Sequence, residues 1–456
     1  MGAQGPDSGP TAPPASERKL EQYRRRRREA AGTGSPGRPK AMHPRERIER
    51  LLDPGSFVEL DMFATGPSAG AEAAGRVAGD GVVGGFGTVD GRQVAVYAND
   101  PALLGGAVGE GGAGKIIKVQ DLALRTRIPI VSFLESTGPR VEEGVAALAG
   151  WASVLSRLAR SSGVIPQIGV MAGPCGGDAI QALLLADFVF AVGRMPDQEV
   201  AIDRLAHFSP ATEQECVARV RELLSHLPSS SSEAPPAQAT IDAERGAEQK
   251  LQALAGNGHT YDVREVVRGI LDGGRFLEVQ PSFAANLVVG FGRLAGQAVG
   301  MVANQPAVLD GAVDAGAAAK AGRFVRVCDA FGVSIVSLVD TPGRASNESP
   351  EERAEILRQS ARLLSAYARA GAPKLTVVLG RDSGDAYATM SPRQMGAEFS
   401  LAWPRARISA RGGEEVESAY LAAERGLIDD VIEPRETRPA LIRALQLCLR
   451  KPRGTS

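Results

Sequence analysis

The chain contains two copies of one sequence pattern, and this duplication restricts its fold more than any other feature. Gly85-Phe86-Gly87 recurs as Gly290-Phe291-Gly292, and Lys115 recurs as Lys320, in both cases 205 residues later. An offset that stays constant between separate motifs indicates two copies of one folding unit. At 456 residues, the chain is long enough for two domains of roughly 200 residues each.

Each copy carries a glycine-rich turn that contains an aspartate. The first turn runs from Gly173 to Ala179, and the second runs from Gly380 to Ala386. Backbone N–H groups on such turns can stabilise an oxyanion or enolate formed from a thioester. Glycines also occur in turns for steric reasons alone. Two such turns in register across a duplication favour a functional role as much as a steric one.

Charge, cysteine content and hydrophobicity exclude several classes of protein. The formal net charge is −1, whereas a nucleic-acid-binding domain concentrates positive charge, so we expect no nucleic-acid partner. The four cysteines show no Cys-x-x-Cys spacing, which excludes a zinc ribbon, gives no disulfide framework and leaves no predicted metal site. No apolar run reaches about 18 residues and no signal peptide opens the sequence. We therefore expect a soluble, cytoplasmic protein that does not associate with membranes.

Composition divides the chain into four segments. Residues 1–42 are rich in Pro, Gly, Ser and Arg and include Arg24–Arg28, so we predict a disordered basic tail. Such a segment can also form a short helix of repelling charges or a tether for an acidic partner. Residues 43–228 and 256–456 are predicted to be the two repeated domains. Residues 229–255 are predicted to be the linker, because serines and prolines cluster at its start.

Short apolar runs alternate with helical patterns in each copy. The predicted buried strands are Val94–Ala98, Ile130–Leu134, Val299–Ala303 and Ile335–Val339. The predicted helices between them are Lys115–Thr126 and Lys320–Phe331. Strands that alternate with helices favour parallel pairing through crossover connections, so each copy is predicted to be an α/β domain.

The histidines do not form a nucleophilic triad with their sequence neighbours. None of the four stands beside a serine or cysteine in a motif such as Gly-x-Ser-x-Gly; they are His43, His207, His226 and His259. Backbone donors on the two glycine turns are therefore the better candidates for chemistry at a thioester carbonyl.

Seven longer motifs extend over nearly all of residues 45–450. They are Arg45–Leu60, Gly79–Gly87, Ser162–Ile168, Phe276–Pro281, Val302–Pro306, Leu401–Pro404 and Ala423–Asp429. In this order they resemble the carboxyltransferase β subunits of propionyl-CoA and acetyl-CoA carboxylases. The resemblance implies the fold of that family, an α/β architecture of two tandem crotonase-like domains (ββα spirals of the ClpP/crotonase type). Family segments expected after Val192 and after Ile408 are absent, so the chain resembles a divergent and shortened member.

The resemblance also implies an activity, a cofactor and partners. The family transfers a carboxyl group from carboxybiotin to the α-carbon of an acyl-CoA, so a short acyl-CoA is the implied substrate. No Met-Lys-Met carrier motif is present, which implies that biotin is attached to a partner α subunit with biotin carboxylase and carrier domains. The family's active site forms between the first domain of one subunit and the second domain of another. A homo-oligomer, or a hetero-oligomer with another β subunit, is therefore implied.

Carried onto the two turns, the resemblance assigns site residues. It implies that two oxyanions receive backbone N–H groups from Gly177, Asp178, Asp385 and Ala386. The residues implied to line the substrate site are Gly138, Pro139, Gly176, Gly343, Gly384 and Ala388. The family has glycine where Asp178 and Asp385 stand. A carboxylate about 4–5 Å from a developing oxyanion opposes it by roughly 3–4 kcal/mol at an effective dielectric constant near 20.

Three functions therefore remain open. The chain is a working carboxyltransferase subunit, or it is a biotin-independent decarboxylase of a malonyl-CoA-type or methylmalonyl-CoA-type thioester. In the second case Asp178 or Asp385 would protonate the product carbanion. In the third, it is a catalytically impaired homologue that acts as a scaffold or regulator for an active subunit.

Overall fold

The computed structural model of the protein describes residues 15–31, 42–65, 79–193, 205–240, 242, 246–256, 261–344, 349–409 and 417–450. Its α-helices are α1 (Ala15–Ala31), α2 (Pro44–Leu51), α3 (Glu110–Thr126), α4 (Val145–Ser161), α5 (Gly177–Leu184), α6 (Glu213–His226), α7 (Ala247–Gly256), α8 (Val263–Ile270), α9 (Ala315–Ala330), α10 (Pro350–Arg369), α11 (Asp385–Thr389), α12 (Ala419–Glu424) and α13 (Thr437–Cys448). Its strands are β1 (Val58–Glu59), β2 (Val82–Val89), β3 (Arg92–Asn99), β4 (Ile130–Leu134), β5 (Gln167–Met171), β6 (Phe188–Ala191), β7 (Phe276–Val279), β8 (Leu287–Leu294), β9 (Gln297–Asn304), β10 (Ser334–Thr341), β11 (Lys374–Ser383), β12 (Phe399–Ala402), β13 (Arg407–Ser409), β14 (Glu417–Ser418) and β15 (Asp430–Val431).

The strands form two sheets, one from each copy of the repeat. The first sheet has the order β1-β2-β3-β4-β5-β6. The second has the order β14-β13-β11-β10-β9-β8-β7, with β12 paired to β11 and to β15. In both, an antiparallel hairpin (β2 with β3, β8 with β9) leads through a helix into a parallel strand (β4 and β10). The α/β class predicted from the sequence is confirmed.

The two crossover helices begin earlier than the sequence predicts. Helix α3 starts at Glu110 and α9 at Ala315, each five residues before the predicted lysine. Glycine and alanine dominate these first turns and give no hydrophobic periodicity. The start of α9 is nevertheless fixed, because the Asp314 side chain accepts a hydrogen bond from the N–H of Ala317 at 2.7 Å.

The repeated lysines tie each crossover helix to the hairpin beneath it. Lys115 donates from its Nζ to the carbonyl of Val82 at 2.7 Å, and Lys320 donates to the carbonyl of Leu287 at 2.8 Å. Both ammonium groups are buried, which lowers their pKa values, that of Lys320 to about 8. The equivalent contacts show that the repeat preserves structure as well as sequence.

One hydrophobic cluster spans the two copies, and each copy also has a cluster of its own. The ring of Phe188, on β6 of the first sheet, meets the ring of Phe291, on β8 of the second, at a centroid distance of 5.8 Å. Arg323 on α9 donates to the carbonyls of Ala186 and Asp187 at 2.9 Å, which joins the same two halves through polar contacts. The sheets are therefore packed together and are not held only by their connection.

Two segments are more ordered than the sequence predicts. Ala15–Ala31 is a helix, so the expectation of disorder does not hold for these residues, and the alternative of a short charged helix does. The rest of the tail, residues 1–14 and 32–41, lies outside the described residues. The predicted linker contains helix α7 and bonds to both copies, through Ser231 N–H to the Val164 carbonyl at 2.9 Å and Gln238 N–H to the Gly296 carbonyl at 3.0 Å. Backbone bonding explains this order, which composition does not reveal.

Candidate active site

The first glycine turn connects β5 to the start of α5. Gly176 is the residue that precedes the helix, and Gly177, Asp178 and Ala179 form its first turn. The N–H groups of these first residues have no acceptor four residues earlier in the helix. Gly177 and Asp178 are exposed. The first turn therefore presents unpaired backbone donors at the positive end of a helix dipole.

The loop after β4 packs directly against this turn. Gly176 donates to the carbonyl of Ser136 at 2.9 Å, and a Cβ added at Gly176 would lie 2.7 Å from the carbonyl oxygen of Thr137. Gly138 has a φ of +103°, and its added Cβ would lie 2.9 Å from the Asp178 Cβ and 3.3 Å from Asp178 Oδ2. Both glycines are thus required by close approach. The Asp178 carboxylate lies over the corner made by Gly138.

Pro139 continues the same corner. It forms an isolated parallel bridge with Val108, and the N–H of Val108 donates to the Gly138 carbonyl at 2.9 Å. The N–H of Gly138 donates to Ser136 Oγ at 3.1 Å. Gly138 therefore shapes the corner but has no free donor to offer a ligand. The structure brings Gly138, Pro139, Gly176, Gly177 and Asp178 together at one place.

The second turn repeats this arrangement in the second sheet. Gly384 joins β11 to α11 with a φ of +59°, and its N–H donates to the Ser409 carbonyl at 3.0 Å. Asp385 and Ala386 are the first two residues of α11, so their N–H groups lack acceptors within the helix. Gly343, with a φ of +118°, packs here: its added Cβ would lie 3.2 Å from the Ser383 carbonyl oxygen.

The remaining predicted residue of the second turn lies on the same short helix. Ala388 is half-buried on α11, and the neighbouring Tyr387 donates from its hydroxyl to Gln394 Oε1 at 2.8 Å. The position of the Asp385 side chain lies outside the described residues. Gly343, Gly384, Asp385, Ala386 and Ala388 are thus brought together as a second group, on a different sheet from the first.

Each turn is supported by a buried acid that sequence reasoning missed. Glu135 follows β4, and a Cβ at Gly173 would lie 2.2 Å from its Cδ. Asp340 near the end of β10 occupies the equivalent place, because a Cβ at Gly380 would lie 2.3 Å from its Oδ2. The signal was present in the repeat, since Glu135 and Asp340 are 205 residues apart.

The two buried acids have different partners. Arg47 on α2 lies 3.0 Å from the Glu135 carboxylate. Asp340 instead accepts from the Tyr261 hydroxyl at 3.0 Å and from the Arg381 N–H at 3.0 Å. Removing one partner of a buried ion pair is strongly destabilising, so these contacts keep each carboxylate in place against its glycine.

The cysteine of the first turn and the buried histidines are poorly suited to act as nucleophile or base. Cys175 donates from Sγ to the carbonyl of Leu134, and burial raises the pKa of its thiol to about 11. Burial lowers the pKa of His207, whose Nδ1 accepts from the Val189 N–H, and lowers that of His226 to about 4. Within the described ranges no group of three His, Cys, Asp or Glu side chains could hold a metal ion. Oxyanion stabilisation by backbone donors is the chemistry that this arrangement offers.

These features, repeated hairpin-and-crossover units with donor turns at helix starts, define a crotonase-like fold. The carboxyl transferase domain family matches residues 40–198 and 197–420, and the chain belongs to this family.

Individual relatives agree over nearly the whole chain. The propionyl-CoA carboxylase beta chain of Saccharopolyspora erythraea is 38% identical over 522 aligned residues, which cover 98% of this chain and 94% of that protein. Methylmalonyl-CoA decarboxylase subunit alpha of Veillonella parvula is 37% identical, with 90% of each chain covered. A crystal structure of the transcarboxylase 12S hexamer with hydrolysed methylmalonyl-coenzyme A superimposes with a TM-score of 0.89 at 31% identity, covering 98% of both chains.

The fold and activity predicted from the sequence are confirmed by these similarities: the chain is an acyl-CoA carboxyltransferase. In the part of the chain that the structure describes, no helix combines the length and apolar character needed to cross a membrane.

Proposed function

We propose that the chain transfers a carboxyl group to the α-carbon of a short acyl-CoA, using carboxybiotin held by a partner α subunit. The observation that carries this proposal is the pair of helix starts, at Gly177–Asp178 and Asp385–Ala386, each with backbone N–H groups that lack acceptors in their helix. A carbonyl oxygen that gains negative charge is the ligand such donors suit best.

The two turns divide the work between two carbonyl groups. Loss of a proton from the α-carbon of an acyl-CoA leaves an enolate whose charge rests on the thioester oxygen, and one turn would donate its N–H groups to that oxygen. The other turn would donate to the ureido carbonyl of biotin. When bound, carboxybiotin would supply the carboxyl group, and the ring nitrogen that releases this group would accept the α-proton. Removing one donor of this kind from an enzyme costs about 3–4 kcal/mol of transition-state stabilisation.

A second copy of the chain, or another β subunit, completes the site. The two groups of site residues belong to different sheets, and several exposed apolar side chains lie within about 40 residues of Gly138 along the chain. Val141 and Val145 are 82% and 80% exposed, and Leu104 and Leu148 are 54% and 57% exposed. Large exposed apolar side chains of this kind favour an interface. We infer that the second half of a neighbouring subunit covers them and brings its own turn to the Gly138 corner.

Gly177 offers a test with a matched control. No atom lies within 4 Å of a Cβ built there, and proline suits the first position of a helix. Gly176 before it has a φ of −74° and a ψ of 169°, a conformation compatible with a following proline. Gly177→Pro therefore removes one N–H donor, whereas Gly177→Ala keeps it.

The assay supplies a purified biotin carboxylase–biotin carrier subunit, ATP and labelled bicarbonate, and follows the label into propionyl-CoA and acetyl-CoA. We expect Gly177→Pro to lower kcat by about 100- to 1,000-fold and Gly177→Ala to stay near the parent. Equal activity of the two variants would show that the donor is not used. Parent and variants all at background with every acyl-CoA would favour a scaffold or regulatory subunit instead.

A second candidate activity is biotin-independent decarboxylation. It is favoured by the carboxyl group of Asp178 over the Gly138 corner; the similarity to a methylmalonyl-CoA decarboxylase subunit supports decarboxylation and does not bear on the need for biotin. The carbon–carboxylate bond would break to release CO₂, the turn would hold the resulting enolate, and Asp178 would return a proton to the α-carbon. Release of CO₂ from malonyl-CoA or methylmalonyl-CoA by the chain alone, lost in Asp178→Asn, would establish it. No release without the carrier subunit would exclude it.

A further inference from the structure

Asp382 is a buried acid that the proposed chemistry does not use. It lies on β11, three residues before the N–H donor of Asp385. Its side chain is 2% exposed, and its Oδ1 has no hydrogen-bond partner among the described residues. Buried polar atoms in folded proteins nearly always have partners, so this exception beside a candidate active site requires an explanation.

Over the stretches of chain that the structure describes, no cationic side chain pairs with Asp382. On the adjacent strands it is paired with Thr341 of β10 and Ile408 of β13, and neither side chain ionises. From α11 the ionisable group that acts on it is Tyr387, a phenol whose own pKa is raised by burial and by the Asp382 charge. Tyr387 stays neutral near pH 7 and offers no positive charge, so a negative charge at Asp382 is opposed by desolvation and offset by nothing on these elements.

The guanidinium group of the preceding residue is engaged elsewhere. Arg381, next to Asp382 in the strand, binds the Asp310 carboxylate through both Nη atoms at 2.5 and 2.6 Å. Its backbone N–H donates to Asp340, as described above. Successive strand residues point to opposite faces, so Arg381 serves the Asp340 side while Asp382 lies on the other. Burial without a partner raises the pKa of Asp382 to about 7.

The chain between Asp382 and the second turn is held by several contacts. The Ser383 carbonyl oxygen packs against Gly343, and the Ser383 hydroxyl lies 3.0 Å from the Ser409 hydroxyl. The backbone N–H of the next residue, Gly384, donates to the Ser409 carbonyl at 3.0 Å. The backbone N–H of Tyr387 donates to the Gly384 carbonyl at 3.2 Å. A side chain that moves at position 382 therefore displaces the start of α11 directly.

We propose that Asp382 is a positioning residue for the second turn, which holds the Asp385 and Ala386 N–H groups in place only while the Asp382 carboxyl is protonated. An ionised carboxylate must reach water or a donor, and the end of β11 shifts to let it do so. The proposal deepens the proposed function, because it makes carboxyl transfer at this site sensitive to pH near neutrality.

The pH profile of Asp382→Asn tests the proposal. Asparagine is similar in size and cannot ionise. With saturating acyl-CoA, kcat of the parent should decline as pH rises through about 7, approaching tenfold for each further pH unit. The ratio of parent to Asp382→Asn activity isolates this decline, because every other titration is common to both proteins. Asp187→Asn is the matched control: burial raises the pKa of Asp187 to about 7 as well, but it lies on the first copy and should leave the profile of kcat unchanged.

Hydrogen exchange keeps the test independent of catalysis. In the parent, exchange of peptide 384–390 should accelerate between pH 6.5 and 8.5 beyond the intrinsic chemical rate, and in Asp382→Asn it should follow that rate alone. If this difference is seen but no transfer occurs, the proposed function fails and the positioning role stands. Superimposable kcat profiles and exchange rates for parent and Asp382→Asn would overturn the inference.

Discussion

Replacing Asp178 by glycine should raise the rate of carboxyl transfer. Asp178 offers its N–H group at the first turn, but its carboxylate lies over the same corner, with Oδ2 3.3 Å from the position that a Cβ on Gly138 would take. An oxyanion bound by the Asp178 N–H therefore has a negative charge about 4–5 Å away. Asp178→Gly keeps the donor and removes the charge.

The size of the effect follows from Coulomb's law. At about 4.5 Å, two unit charges repel by about 4 kcal/mol at an effective dielectric constant of 20 and by about 1 kcal/mol at 80. Asp178 is exposed, so screening places the true value between these limits. The corresponding increase in kcat/KM lies between about fivefold and about 500-fold.

The assay compares three variants with propionyl-CoA and the carrier subunit. Asp178→Gly and Asp178→Asn should both be faster than the parent, and the gain should shrink as salt screens the charge. Glu248→Gln, which removes an exposed charge on α7, controls for net charge and should have no effect. If both Asp178 variants are as slow as the parent or slower, the carboxylate does not oppose the reaction and the electrostatic reasoning is wrong.

Three further predictions concern stability and assembly. Burial raises the folded-state pKa of Asp187 to about 7, so the folded protein holds a proton that the unfolded chain loses near pH 4. The free energy of unfolding therefore falls as pH rises from about 4 to 7. Asp187→Asn should reduce this slope by as much as about 1 kcal/mol per pH unit in urea titrations. Gly173→Ala should lower the free energy of unfolding by about 1–3 kcal/mol, because its Cβ meets the Glu135 side chain. Gly114→Ala, with open space around its Cβ, should be neutral or stabilising in the same titration. Equal losses in the two variants would contradict the contact. Val145→Asp should shift the sedimentation profile towards the monomer, and an unchanged profile would exclude this face from the interface.

Much of the fold could be predicted because buried strands and repeats leave strong sequence signals. Ile130–Leu134 matches β4 at both ends, since a short, mostly apolar segment between a proline and a turn is typical of a buried strand. The order of the linker could not be predicted in this way, because it comes from backbone hydrogen bonds to residues distant in the chain. For the tail, the sequence offered a helix only as an alternative to disorder, and the structure has that helix at Ala15–Ala31.

Only those parts of the candidate site that require glycine could be predicted from the sequence. Gly138 and Gly343 have positive φ values, and this requirement leaves its mark in the sequence. Glu135 and Asp340 were missed because their importance arises from contacts with Gly173 and Gly380, which are distant in the chain. Asp382 was not singled out, because aspartates are mostly exposed and its burial on β11 becomes visible only in the folded chain.

The aromatic contact between β6 and β8 has a consequence for how the duplicated protein can change. Since Phe188 and Phe291 belong to different copies yet fill one interior, neither half can be expected to fold alone with an intact core. Cutting the chain within residues 229–255 and separating the fragments would expose apolar surface on both. A substitution at this contact in one copy must therefore be compatible with the packing of the other copy.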